Sequence, residues 1–183
     1  MRLRPVPPIL SDIVKTALQV CDRTRYSVNG PCPSCGGSLS GYDTRMKRFA
    51  TLIDESGESR IAIIIHRSYC RSCGKVLLPE LPFYPGTRAG SPVVDLCRAF
   101  GKTMTSGRVA AHLGRMGVSV DRWSVQGYIK KPIVDPPVVD AFGYRIPLTI
   151  FSLFSLAGNL QESDSAYGED ILMACNHPCG QNR

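Results

Sequence analysis

Two cysteine pairs constrain this chain more than any other feature. Cys32-Pro33-Ser34-Cys35-Gly36-Gly37 and Cys70-Arg71-Ser72-Cys73-Gly74-Lys75 repeat one pattern, a CxxC followed by glycine. That spacing lets two thiolates reach one ion from a single tight turn. The glycine allows a left-handed residue, so that backbone N–H groups face the sulfurs. Zn²⁺ prefers four ligands in a tetrahedron, and two such turns supply four. Cys32, Cys35, Cys70 and Cys73 are therefore the expected ligands of one structural zinc ion. Four cysteines leave no open position for water, which argues against a catalytic metal. A redox pair would need a βαβ setting, and neither pair has one. Disulfides belong to secreted chains, and Met1-Arg2-Leu3-Arg4-Pro5 does not lead into a signal sequence.

Thirty-four residues separate Cys35 from Cys70, against a usual gap of ~15–20. A hairpin resolves the difference. Arg48 to Ile53 reads as a strand, Asp54-Glu55-Ser56-Gly57-Glu58 as a turn. Arg60 to Tyr69 reads as the second strand, rich in β-branched Ile61, Ile63, Ile64 and Ile65. The hairpin would leave the first cysteine turn and return to the second.

The rest of the chain reads as helix and linker. Ile9, Ile13, Ala17 and Val20 recur at near-helical spacing, with Ser11 or Asp12 as a cap. Residues 74–90 hold Pro79, Pro82, Pro85, Gly86 and Gly90 and read as an extended linker. Ser91-Pro92 then starts a helix with Val93, Leu96, Cys97 and Phe100 on its apolar face. Val109, Leu113 and Met116 mark a second helix, stopped by Gly117. Asp121 caps a third, Arg122 to Ile129, with Val125 and Ile129 facing inward. Helix, glycine turn and short second helix describe a helix-turn-helix. Its outward residues would be Arg122, Trp123, Ser124, Gln126 and Tyr128, with Lys130 and Lys131 beyond. Arg and Gln suit base edges and Lys suits phosphates. Trp123 fits either the helix packing or the DNA face.

Charge supports a polyanion partner. Residues 1–131 hold 20 Lys and Arg against 9 Asp and Glu, and residues 132–183 hold 2 against 6. The longest apolar stretch, near Leu148 to Ala157, is interrupted by Thr149, Ser152 and Ser155. A bilayer span needs ~20 apolar residues. The expectation is a cytoplasmic, nucleoid-associated protein with no membrane contact.

Cys32-Pro33-Ser34-Cys35, Asp54-Glu55-Ser56-Gly57, Ile61 to Tyr69 and Cys70-Arg71-Ser72-Cys73-Gly74-Lys75-Val76-Leu77-Leu78-Pro79 together resemble a family. It is the zinc-ribbon domain of unknown function found in prokaryotic transposase-associated proteins. Gly117 to Ile129 is similar to the helix-turn-helix of many transposases. The resemblance covers about residues 30–131 and implies double-stranded DNA as partner, at the ends of a mobile element. It does not imply catalysis. Transposases of the common type need a spaced acidic triad on an RNase H-like fold, and the acidic residues after Lys131 show no such strand pattern.

The expected fold class is α+β, a small zinc-ribbon β-unit followed by a helical helix-turn-helix domain. The segments are a helical lead-in (1–30), the ribbon (31–80), the helix-turn-helix (90–131) and an acidic segment (132–183). A DNA-binding protein, not an enzyme, is the leading reading. A protein-interaction module docking a partner or a second copy through the ribbon or through Ile150 to Leu156 is the alternative. A nuclease or transposase enzyme with an undetected acidic site is the third. Cys175, His177 and Cys179, with Cys21, form a weaker metal candidate. Cys97 reads as a buried hydrophobe, and His66 and His112 as structural.

Overall fold

The computed structural model describes residues 5–160 and 166–175. Helix α1 (Pro8–Gln19) begins at two prolines, with Pro7 as N-cap. Proline suits that place, because its missing N–H would have no helical partner and its φ is already helical. The start therefore lies ahead of Ser11 and Asp12, the caps expected from sequence. Leu10, Ile13, Val14, Ala17 and Leu18 face the core, while Ile9 is exposed.

Strand β1 (Arg25–Tyr26) precedes the first cysteine pair. Strands β2 (Leu39–Asp54) and β3 (Gly57–Cys70) form the hairpin, and β4 (Val76–Leu77) follows the second pair. The hairpin is longer than expected. Its first strand begins at Leu39, and its turn is only Glu55-Ser56, with Gly57 at φ +119°. Asp54 Oδ1 accepts the Ser56 N–H at 2.8 Å and fixes the corner. Pairing runs from Asp54↔Gly57 to Leu39↔Cys70, with irregularities between Gly41 and Asp43 and between Arg48 and Ala50. Along the other edge of β3, β1 pairs parallel and β4 antiparallel.

The hairpin has two unlike halves. Near its turn, Phe49, Ala50, Leu52, Ile61, Ile63 and Ile65 are buried. Toward the cysteines, Tyr42, Thr44, Arg45 and Met46 are exposed. The outer half is an arm carrying the cysteine turns at its end.

Helices α2 (Ser91–Gly101), α3 (Ser106–Arg115) and α4 (Arg122–Lys130) follow. The N-cap of α2 is Gly90, one residue before the expected Ser91. Residues 78–90 are not a loose linker. Phe83 meets Phe49 edge-on at 5.7 Å, and Thr87 is buried. The chain then forms a hairpin of β5 (Val138–Ala141) and β6 (Tyr144–Pro147), helix α5 (Leu148–Asn159) and helix α6 (Gly168–Ala174). The β5–β6 turn, Phe142-Gly143, has positive φ at both residues. Ile150 and Leu153 of α5 are buried in the core, while Phe154 in the same stretch is exposed.

The described residues thus form six helices and two sheets, an α+β fold. One hydrophobic core takes residues from the hairpin, from α1 to α4 and from β6, α5 and α6. The segments expected as ribbon, helix pair and acidic tail share this core. No described helix is long and apolar enough to cross a membrane.

Two devices fix α4. Its leading turn lies along the edge of β2: Ser119 N–H donates to Thr51 O and Ile53 N–H to Gly117 O, both at 2.8 Å, and Val118 bridges Leu52. At the other end, buried Arg98 gathers the carbonyls that helix termini leave unsatisfied. Its Nη1 reaches Tyr128 O and Ile129 O at 3.4 Å and Lys131 O at 2.7 Å. Its Nη2 reaches Ile133 O at 2.6 Å and Asp135 Oδ1 at 2.7 Å. Arg98→Met should lower stability by about 3 kcal/mol in urea unfolding. A loss under about 1 kcal/mol would show the network to be dispensable.

Asp95 is buried beside it, 1% exposed. It accepts from Tyr84 Oη at 2.8 Å and Thr149 Oγ1 at 3.2 Å. Burial raises its pKa to about 6, against ~3.9 in an unfolded chain. The folded state therefore holds this proton when the unfolded chain has released it. The stabilising contribution is complete below pH ~4 and lost as pH rises through about 6. Asp95→Asn should match the parent near pH 4 and exceed it by ~1–3 kcal/mol at pH 7. Parallel stability curves for the two proteins would contradict this.

Candidate metal centre and nucleic-acid interface

The cysteine turns are two copies of one local structure. In the first, Gly36 N–H donates to Cys32 O at 2.8 Å and Cys32 N–H to Gly37 O at 2.9 Å. In the second, Gly74 N–H donates to Cys70 O and Cys70 N–H to Lys75 O, both at 2.9 Å. Gly36 and Gly74 sit at φ +70° and +72°, where a side chain would strain the backbone. The turns also interlock. A Cβ on Gly37 would lie 2.3 Å from Ser72 Oγ, and Arg71 N–H donates to Ser38 O at 3.3 Å.

All four sulfurs lie within 4.8 Å of one another. Cys32 Sγ is 3.8 Å from Cys73 Sγ, and Cys35 Sγ is 3.5 Å from Cys70 Sγ. These distances exceed the ~2.05 Å of a disulfide. They match the ~3.8 Å edge of a tetrahedron with metal–sulfur bonds of ~2.3 Å. Electrostatics agree with a cation. The Cys73 backbone N–H, with that of Ser72, pulls the Cys70 thiol down to about 6. Burial opposes ionisation of Cys32, but the N–H groups of Ser34 and Cys35 outweigh it and lower its pKa. Cys35 is pushed up to about 12: the Gly37 N–H favours its thiolate, but the sulfurs of Cys70 and Cys73 oppose it more. A divalent ion among the four removes that opposition. The residues therefore fit a four-thiolate metal site of structural type.

Cys70→Ser should abolish the binding of one metal ion per chain, read by plasma mass spectrometry. Amide exchange should then speed up from Leu39 to Thr44 and stay slow around Ile61 to Ile65, because only the latter part is held by the core. Uniform exchange along the hairpin would show that the centre does not brace the arm.

Helix α4 is the second site expected from sequence. Asp121 caps it, accepting the Trp123 and Ser124 N–H groups at 3.0 and 2.9 Å. The Ser124 hydroxyl and these N–H groups hold the Asp121 carboxyl below its usual range. Arg122, Trp123, Gly127 and Lys130 are exposed, and Gln126 and Ser124 are half-buried. Trp123 is 70% exposed and lies under the Arg122 guanidinium at 4.8 Å, so it belongs to the outer face.

Two residues differ from expectation. Tyr128 is buried, 7% exposed, because its spacing from Val125 places it on the inner face. It does not belong to the outward set. Lys131 is tied down, its Nζ donating to Pro85 O at 2.9 Å.

The outer face of α4 does not stand alone. A cleft of about 200 Å³ joins its N-terminal end to the hairpin, its lining including Arg48, Glu58, Arg60, Ser119, Asp121 and Ser124. Sequence reading passed over Arg48 and Arg60. Alternation in β3, with Ile61, Ile63 and Ile65 inward, was the signal for Arg60, whereas the irregularity between Arg48 and Ala50 hides Arg48 from it.

Of the weaker metal candidate, Cys21 and Cys175 fall among the described residues. Cys175 and Cys21 are buried, and His177 and Cys179 lie outside the described residues. Burial pushes Cys175 up to about 12 and Cys21 well above the usual thiol range. Cys97 is a buried hydrophobe, as expected. His66 Nδ1 is 2.9 Å from Thr44 Oγ1. His112 is buried with neither nitrogen partnered among the described residues, its ring 5.4 Å from Phe100.

Searches of protein-family models, curated proteins and solved structures return no match to this chain.

Proposed function

We propose that the chain binds double-stranded DNA through the outer face of α4, on a scaffold whose hairpin arm is stapled by zinc held by Cys32, Cys35, Cys70 and Cys73. Zinc is favoured because four thiolates in a tetrahedron are its characteristic structural ligand set. Relationship to transposase-associated proteins, as a recognition component with no catalytic role of its own, is part of this reading.

The observation that carries it is the composition of one helical stripe. Arg122, Trp123, Gln126, Gly127 and Lys130 share the outer face of α4, and none is acidic. Arg122 and Gln126 are suited to base edges, Lys130 to phosphate. Gly127 is informative because it costs stability. Inside a helix, glycine is ~1 kcal/mol less favourable than alanine. Nothing lies within 4 Å of where its Cβ would be, so packing within the chain does not require it. A duplex lying close against the helix backbone would.

The test is fluorescence anisotropy with duplexes selected from a random pool, over a salt series. Affinity should fall steeply as salt rises. Arg122→Ala should cost ~1–3 kcal/mol and relax base preference. Gly127→Ala should raise thermal stability while weakening binding, a combination an ordinary surface position would not give. Salt-independent or absent DNA binding would overturn the reading, and association with a protein partner in its place would favour the interaction-module alternative.

A further inference from the structure

We propose that the solvent face of the hairpin is a second contact surface for the same duplex, gripping its phosphate backbone beside α4. This rests on the DNA-binding reading above and extends it to residues outside the helix.

The argument begins with the register. Arg60 lies on β3 opposite Thr51, Arg48 lies on β2 opposite Ala62, and Arg25 lies on β1 beside Ile64. In β3 register these are positions 60, 62 and 64. Successive even positions share a face and are ~7 Å apart along the strand. The opposite face carries Ile61, Ile63 and Ile65, all buried. The three arginines therefore stand on the solvent side of three adjacent strands, in the order β1–β3–β2. All three are exposed.

None of them forms an ion pair among the described residues. Three acidic groups around Arg48 and Arg60 have partners of their own. Glu58, two residues before Arg60 on the same face of β3, accepts from Ser119 Oγ at 3.3 Å. Asp121 caps α4. Asp22 accepts the Ala62 N–H at 2.9 Å and lies 3.9 Å from Arg23 Nε. From Ser59 to Pro79 the chain has no Asp or Glu at all. Met46 stands in the same row, 67% exposed.

The layout gives the arginines an address. Arg48 and Arg60 line the cleft that ends at Ser119 and Ser124 of the α4 segment. A polyanion lying on the outer face of α4 continues onto this sheet face. Exposed guanidinium groups uncommitted to carboxylates fit a phosphate backbone by charge and by bidentate geometry.

The experiment compares the full chain, metal-loaded, with an Arg48→Ala/Arg60→Ala double variant and an Arg48→Lys/Arg60→Lys variant. Each is titrated against a selected duplex and a random duplex over a salt series. The alanine variant should bind both duplexes about tenfold less tightly, with the slope of log affinity against log salt shallower by about 2. Thermal midpoint and metal content should be unchanged, because both side chains are exposed. The lysine variant should restore most of the slope. A parent protein that binds with salt dependence and an alanine variant with the same slope would overturn the second surface and leave α4 standing. A parent that does not bind DNA overturns both.

Discussion

The antiparallel pairing of β2 with β3 is the constraint on which the other features rest. It begins at a two-residue turn and closes at Leu39↔Cys70, against the first residue of the second cysteine pair. Because the pairing continues through two register shifts, residues far apart in sequence arrive at one place. The sulfurs of Cys35 and Cys70 finish 3.5 Å apart for this reason. A slip of one residue would turn Ile61, Ile63 and Ile65 to solvent and the arginines inward. The core thus fixes the register at one end, and the interlocked cysteine turns fix it at the other.

The same hairpin positions the helices. The loop before α4 hydrogen-bonds to the exposed edge of β2 at Thr51 and Ile53, which also covers part of an edge that would otherwise be open to pairing. Arg98 then closes the other end of α4. A guanidinium serves well here because its fan of donors can meet several carbonyls that point the same way. The helix is held by backbone at its start, by a buried cation at its end and by Val125 and Tyr128 between.

The parts of this structure legible in the sequence were those with strong local signals. The doubled CxxCG pattern identified four cysteines that do converge, because turn geometry and metal geometry share one short motif. The isoleucine run located β3, and Asp121 located the start of α4. The outer half of β2 was not legible. Leu39 to Arg48 includes Gly41, Asp43 and Lys47 and has no buried face to impose alternation, so its strand character comes only from its partner. Tyr128 was misplaced because aromatic residues near a basic stretch fit either face of a short helix, and only packing against the core decides. Phe142-Gly143 was missed because phenylalanine rarely adopts positive φ. The wider division into ribbon, helix pair and tail followed composition, whereas the core follows packing. Proline-rich residues 78–90 lie on that core and join what composition had separated.

Fixing α4 at both ends has a consequence for whatever meets it. A helix tethered only by side-chain packing can roll or shift to improve a poor fit. This one has few such freedoms: rotation would strip carbonyls from Arg98, and translation would pull Gly117 and Ser119 off the β2 edge. Its outer face is a rigid template. Discrimination on such a template comes from the pliability of the partner, since any imperfect match must be absorbed by the other molecule.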